Sequence, residues 1–162
     1  MAESSWTVTC SCGKTVLSCR GEIAQVAICH CVDCRKANGG KDYEVNALYH
    51  RRQVSIPTPP PPTLKLLPDA DFKYMVPRYI CSSCNSCLLA DVSLCKDANG
   101  YPLAMTPIEY IPPAVTKDPQ YHIHVDEATV APADDGLAKY ESHPAGDHKT
   151  ELSAAIAVEF PE

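Results

Sequence analysis

Cys10-Ser11-Cys12-Gly13 and, far downstream, Cys81-Ser82-Ser83-Cys84 decide how this chain is to be read. Each is a tight pair of thiols. Two ligands offered from one turn lose little extra entropy when the second engages, which suits a tetrahedral soft cation. A disulfide within Cys-x-Cys is disfavoured, because bridging needs a separation and Cβ directions that so short a segment seldom provides. Together the two pairs supply four thiolates, and a closed tetrahedral zinc of that kind is structural. It would staple an N-terminal hairpin to the middle of the chain.

Between the pairs lies Cys29-His30-Cys31-Val32-Asp33-Cys34, which offers only three thiolates. Three protein ligands plus an open position is the pattern of a labile zinc that binds a ligand or takes part in chemistry. A fourth protein ligand would close this site as well. Cys19, His30, Cys87, Cys95, His122 and His124 are the candidates, and the chain would then be a non-catalytic zinc-binding module. Otherwise Cys19, Cys87 and Cys95 read as buried thiols that pack as small hydrophobes.

Composition sets the frame around these clusters. The 162 residues are expected to form one domain over 1–162. With 45% hydrophobic and 21% charged residues the chain has the make-up of a globular protein. A formal charge of −6 disfavours nucleic acid and anionic membrane as partners. No stretch is apolar for long enough to span a bilayer. The N-terminus lacks the basic and apolar regions of a secretory signal, so a cytoplasmic location is expected, where the ten cysteines stay reduced or metal-bound. A small-molecule substrate is the expected partner, with a homodimer as the assembly to test. An acidic chain recruits an anionic substrate through local basic groups, and Arg35 and Lys36, directly after the third cysteine of the triplet, are the expected cofactor contacts.

Fifteen prolines against two phenylalanines and one tryptophan point to short strands and turns. β-Branched and aromatic residues in alternation predict strands over 6–10, 15–19, 25–28, 43–49, 53–56, 64–67, 88–92 and 121–125. Pro77 makes 73–80 an edge or broken strand. The run 33–38 predicts a helix of one or two turns, stopped by Gly39-Gly40. Residues 57–62 are a proline-rich loop, polyproline II or turn. A weak strand over 154–160 ends an extra tail, 141–162. The fold class is mainly β.

The motifs, taken in order, resemble the glutathione-dependent formaldehyde-activating enzyme family, with its centromere protein V-like relatives. The resemblance is carried by Cys10-Ser11-Cys12-Gly13, by Cys29-His30-Cys31-Val32-Asp33-Cys34-Arg35-Lys36-Ala37-Asn38-Gly39 and by Arg78-Tyr79-Ile80-Cys81-Ser82-Ser83-Cys84. Tyr121-His122-Ile123-His124-Val125 and Asp135-Gly136-Leu137-Ala138-Lys139-Tyr140 add to it, so that it spans roughly 7–140. It implies a β-tent fold, antiparallel sheets pinned by one structural zinc on Cys10, Cys12, Cys81 and Cys84. It also implies a catalytic zinc on Cys29, Cys31 and Cys34, with glutathione as a further cofactor or substrate. The implied activity is that of a carbon–sulfur lyase acting on glutathione adducts or another small electrophile. A metabolite-tailoring isomerase, dehydratase or lyase using the same open zinc without glutathione is the alternative. Proton transfer in such chemistry would fall to His30, Asp33, His122 or His124. One departure is local: glycine usually follows the second knuckle, and Asn85 stands here, a residue that tolerates the left-handed conformation.

Overall fold

A computed structural model describes residues 4–67, 72–73, 76–96 and 101–141, without the side chains of 93–96. The expected strand over 154–160, nearly all of the tail and the thiol of Cys95 lie outside the described residues.

The protein is mainly β. Strands β1 (Ser5–Thr9) and β2 (Val16–Arg20) form an antiparallel hairpin, to which the short β5 (Val54–Ser55) adds at the β2 edge. The alternation predicted from sequence is realised: Trp6, Val8, Leu17 and Cys19 turn inward while their neighbours face solvent or the rim. Cys10 and Cys12 occupy the turn of this hairpin.

A second sheet has eight strands. In chain order they are β3 (Gln25–Cys29), β4 (Glu44–His50), β6 (Leu64–Leu67), β7 (Arg78–Cys81), β8 (Cys87–Lys96), β9 (Pro102–Pro107), β10 (Tyr121–Ile123) and β11 (Ala138–Lys139). Their spatial order is β11-β10-β3-β4-β9-β8-β7-β6. All pairs are antiparallel except β3–β10 and β10–β11, which are parallel, so one end of the sheet is mixed. The helix α1 (Val32–Ala37) follows β3 and stops where Gly39 and Gly40 take positive φ, as the sequence predicts.

Two local expectations are corrected, and one strand has no counterpart in the sequence reading. Strand β9 lies between β4 and β8 although its range begins and ends in proline; the four residues between, Leu103 to Thr106, are buried and carry the ladder. Pro77 precedes β7 rather than interrupting it, and β7 is flanked by β6 and β8, so it is no edge strand. The strand predicted over 121–125 ends at Ile123, because His124 adopts a left-handed conformation (φ 55°) and starts a 3-10 turn. The proline-rich 57–62 segment is a loop whose first four residues are exposed.

The curvature of this sheet positions the site. In the ladder β7 stands four places from β3. Yet Arg78 on β7 lines the same recess as Cys34 on α1, so the sheet curls back over the helix. Phe72 sits in the fold-back, with the Lys36 ammonium 5.1 Å and the Arg78 guanidinium 4.9 Å from its ring centre.

Candidate metal centre

Cys10, Cys12, Cys81 and Cys84 bring their sulfurs within 4.8 Å of one another. The first pair comes from the β1–β2 turn and the second from the β7–β8 turn. Cys10 Sγ and Cys12 Sγ are 3.5 Å apart, and Cys12 Sγ lies 3.7 Å from Cys81 Sγ. Main-chain donors converge on the sulfurs, as thiolate ligands require: the Thr15 N–H donates to Cys10 Sγ at 3.2 Å. The Ser86 hydroxyl and backbone N–H beside Cys84 lower its pKa to about 6. Asn85 closes the second knuckle at φ 61°, doing what glycine would do there, and its N–H donates to the Cys81 carbonyl. This donor set fits a tetrahedral zinc.

The second cluster is built at the β3–α1 junction. Cys29 is the last residue of β3, Cys31 caps the N-terminus of α1 and Cys34 sits in its first turn. All three are buried, and their sulfurs also lie within 4.8 Å of one another. Among the described residues, no histidine, cysteine or carboxylate atom joins them as a fourth member within that distance. Hydrogen bonds from Cys29 and Cys31 hold the Cys34 pKa well below the ordinary thiol value, and the Arg78 guanidinium adds to the effect. The Asn46 amide donates to Cys34 Sγ at 3.6 Å, and the Cys34 N–H donates to Cys31 Sγ at 3.2 Å. Three buried sulfurs served by amide and guanidinium donors also fit zinc.

A line of polar groups starts from His30, the residue between Cys29 and Cys31. His30 Nε2 and His122 Nδ1 are 2.8 Å apart, and His122 Nε2 is 2.8 Å from Asp135 Oδ2. Parallel pairing of β10 with β3 places His122 beside Ile28, while the β10–β11 pair brings the Asp135 loop alongside. The hydrogen bond from His122 lowers the Asp135 pKa to about 2, so its carboxylate accepts and the His122 Nε2–H donates. With His122 in its neutral form, Nδ1 accepts from His30 Nε2–H. That leaves His30 Nδ1 as a lone-pair nitrogen, buried and without a partner among the described residues. Burial, chiefly, holds the His30 pKa below the ordinary histidine value.

The other sequence-predicted residues are placed differently. His122 and His124 do not share a strand face, since β10 ends between them; burial lowers the His124 pKa, and its Nδ1 lies 3.2 Å from Glu127 Oε2. Asp33 is buried and its Oδ1 accepts the Lys73 N–H at 2.9 Å, tying α1 to the segment before β7. The Arg35 guanidinium donates to the carbonyls of His30 and Glu127, and Lys36 lies over Phe72. Asp135 belongs to the Asp135–Tyr140 motif, which by itself assigns it no role. Glu44, Asn46 and Arg78 were missed as site residues. The available signal was Glu44-Val45-Asn46: charged and polar residues at alternate positions of a strand that continues into Ala47-Leu48-Tyr49, hence on its inward face. Burial pushes the Glu44 pKa up to about 7.

Residues 5–127 match the sequence profile of the family described as glutathione-dependent formaldehyde-activating enzyme. The chain belongs to that family. The match covers most of the chain and includes both cysteine clusters, so for this glutathione-dependent formaldehyde-activating family member the coarse reading is a glutathione-related enzyme whose cysteines suit zinc. The matched range ends before Asp135, which this chain nevertheless brings to His122. No curated protein matches the sequence. Among the described residues, no helix is long and apolar enough to cross a membrane.

Proposed function

We propose that this protein is a zinc-dependent carbon–sulfur lyase that joins the sulfur of glutathione to a small electrophilic carbon, or releases it. The observation that carries the proposal is the set of three buried sulfurs on Cys29, Cys31 and Cys34 with no fourth described protein ligand. Zinc held by these residues would take the substrate sulfur as a thiolate beside the electrophile.

The chain's own residues account for the proton. When a thiol adds to a carbonyl, the sulfur electron pair forms the C–S bond, the π pair moves to oxygen, and the sulfur proton must finally reach that oxygen. His30 Nδ1 is the base in the line to Asp135; Asp135 and His122 fix its tautomer and stabilise the imidazolium that forms. Reversal runs through the same groups.

Two results test this. Titrating the cobalt-loaded protein with glutathione should change the charge-transfer absorption of one cobalt site and leave the other unaltered. No response removes glutathione from the reaction. Asp135→Asn should lower kcat about 10–100-fold with KM little changed. Nitrogen chemical shifts of His122 should report a changed tautomer; a variant with wild-type kcat would exclude the relay.

A further inference from the structure

Beside Cys34 is a recess lined by Glu44, Asn46, Arg78 and Cys87, of about 10 Å³, enough for one water-sized group. Two of its side chains are more than nine-tenths buried, and each keeps a polar atom without a hydrogen-bond partner among the described residues: Glu44 Oε2, at 8% residue exposure, and Arg78 Nε, at 6%. Leaving such atoms unpaired is costly, so the recess is complete only when something fills it. We propose that this recess is the subsite for the hydroxyl oxygen of the thiol–aldehyde adduct, held between Arg78 and Glu44 next to the Cys29–Cys31–Cys34 triplet. The inference rests on the carbon–sulfur reading above and adds to it the group that distinguishes the adduct from free glutathione.

Complementarity selects the hydroxyl. Arg78 Nε–H can only donate, so the bound atom needs a lone pair. Glu44 Oε2 offers a carboxyl oxygen, which pairs with a hydroxyl in either protonation state because a hydroxyl both donates and accepts. A thiolate has no proton to give, and a methyl group satisfies neither partner. Size sets the second limit. A single oxygen fills the space, whereas a branched or aromatic carbinol would have to displace Asn46 or Cys87. The register supports a built site: Cys29 pairs with Glu44 and Ala27 with Asn46 across β3–β4, so both polar side chains leave the sheet on the triplet's face. Arg78 reaches the same point from β7, where the neighbouring Cys34, Cys87 and Cys31 oppose the effect of burial and keep its charge.

The test uses the cobalt-loaded full chain and three ligands: glutathione, its S-hydroxymethyl adduct held with excess formaldehyde, and S-methylglutathione. The parent should bind the hydroxymethyl adduct about 10–100-fold more tightly than the methyl thioether. Glu44→Leu should erase most of that preference while leaving the glutathione titration unchanged; Arg78→Met, which also removes a cation from Cys34, should erase it as read from the ratio of the two adduct affinities alone. Glu44→Gln, which still hydrogen-bonds, should retain much of it. If Arg78→Met does not fold, the Glu44 pair decides. An undiminished preference in Glu44→Leu overturns the subsite and leaves the glutathione reading standing. No spectral response to any of the three ligands overturns both.

Discussion

Cys81→Ser is expected to leave the chain largely unfolded under conditions in which the parent is native. Cys81 is fully buried, and its sulfur joins two turns that also meet through Ser11 N–H to Ser86 Oγ at 3.3 Å and Ser86 Oγ to Ser11 Oγ at 3.1 Å. A structural zinc on four thiolates contributes an apparent ~10–16 kcal/mol, which is as large as the whole stability of a domain, ~5–15 kcal/mol. Losing one ligand therefore removes a share that the remaining core cannot replace. The damage also spreads. Three residues before Cys81 on the same strand stands Arg78, so a loosened knuckle withdraws the cation from Cys34 and opens the fold-back over Phe72. Far-ultraviolet circular dichroism, thermal unfolding and zinc stoichiometry measure this. A cooperative transition within a few degrees of the parent would refute the structural role.

How much of this was legible without coordinates differs by element, for physical reasons. The β1–β2 hairpin could be read because one face is buried and the other is not, so Trp6, Val8, Leu17 and Cys19 alternate cleanly. Strand β9 could not. Its inner residues, Leu103 to Thr106, are buried on both faces and so show no alternation, and the prolines at its ends are the usual marks of a turn. The cysteine clusters were legible because ligand spacing is a local property. The relay and the recess were not, because they depend on pairings between distant strands. Asp135 reaches His122 only through the parallel β10–β11 pair, which no local pattern announces. Arg78 reaches Cys34 only because an eight-stranded sheet curls, and twist that accumulates from strand to strand is not encoded at any one position. The His124 break shows the converse limit: the i, i+2 rule holds only while the strand lasts, and it ended one residue too soon.

Cys31→Ser should do the opposite of Cys81→Ser, keeping the fold and abolishing the chemistry. Cys31 is the N-cap of α1, and its sulfur accepts the Cys34 N–H at 3.2 Å. Serine is among the best N-cap residues, so the hydroxyl takes over that hydrogen bond and the helix start survives. Cys31→Ala, which cannot cap, should cost a further ~1 kcal/mol of stability. What serine does not replace is a soft thiolate ligand. Displacing even groups that only orient ligands weakens metal binding about 10–100-fold, so loss of one of three direct ligands should exceed that range. The expected protein therefore unfolds within a few degrees of the parent, retains the zinc of the four-cysteine cluster, releases the second metal to a mild chelator and has no measurable turnover. The separation is the decisive point. Equal damage to folding by Cys31→Ser and Cys81→Ser would show that both clusters are structural, and the open coordination position would have to be given up together with the enzyme built on it.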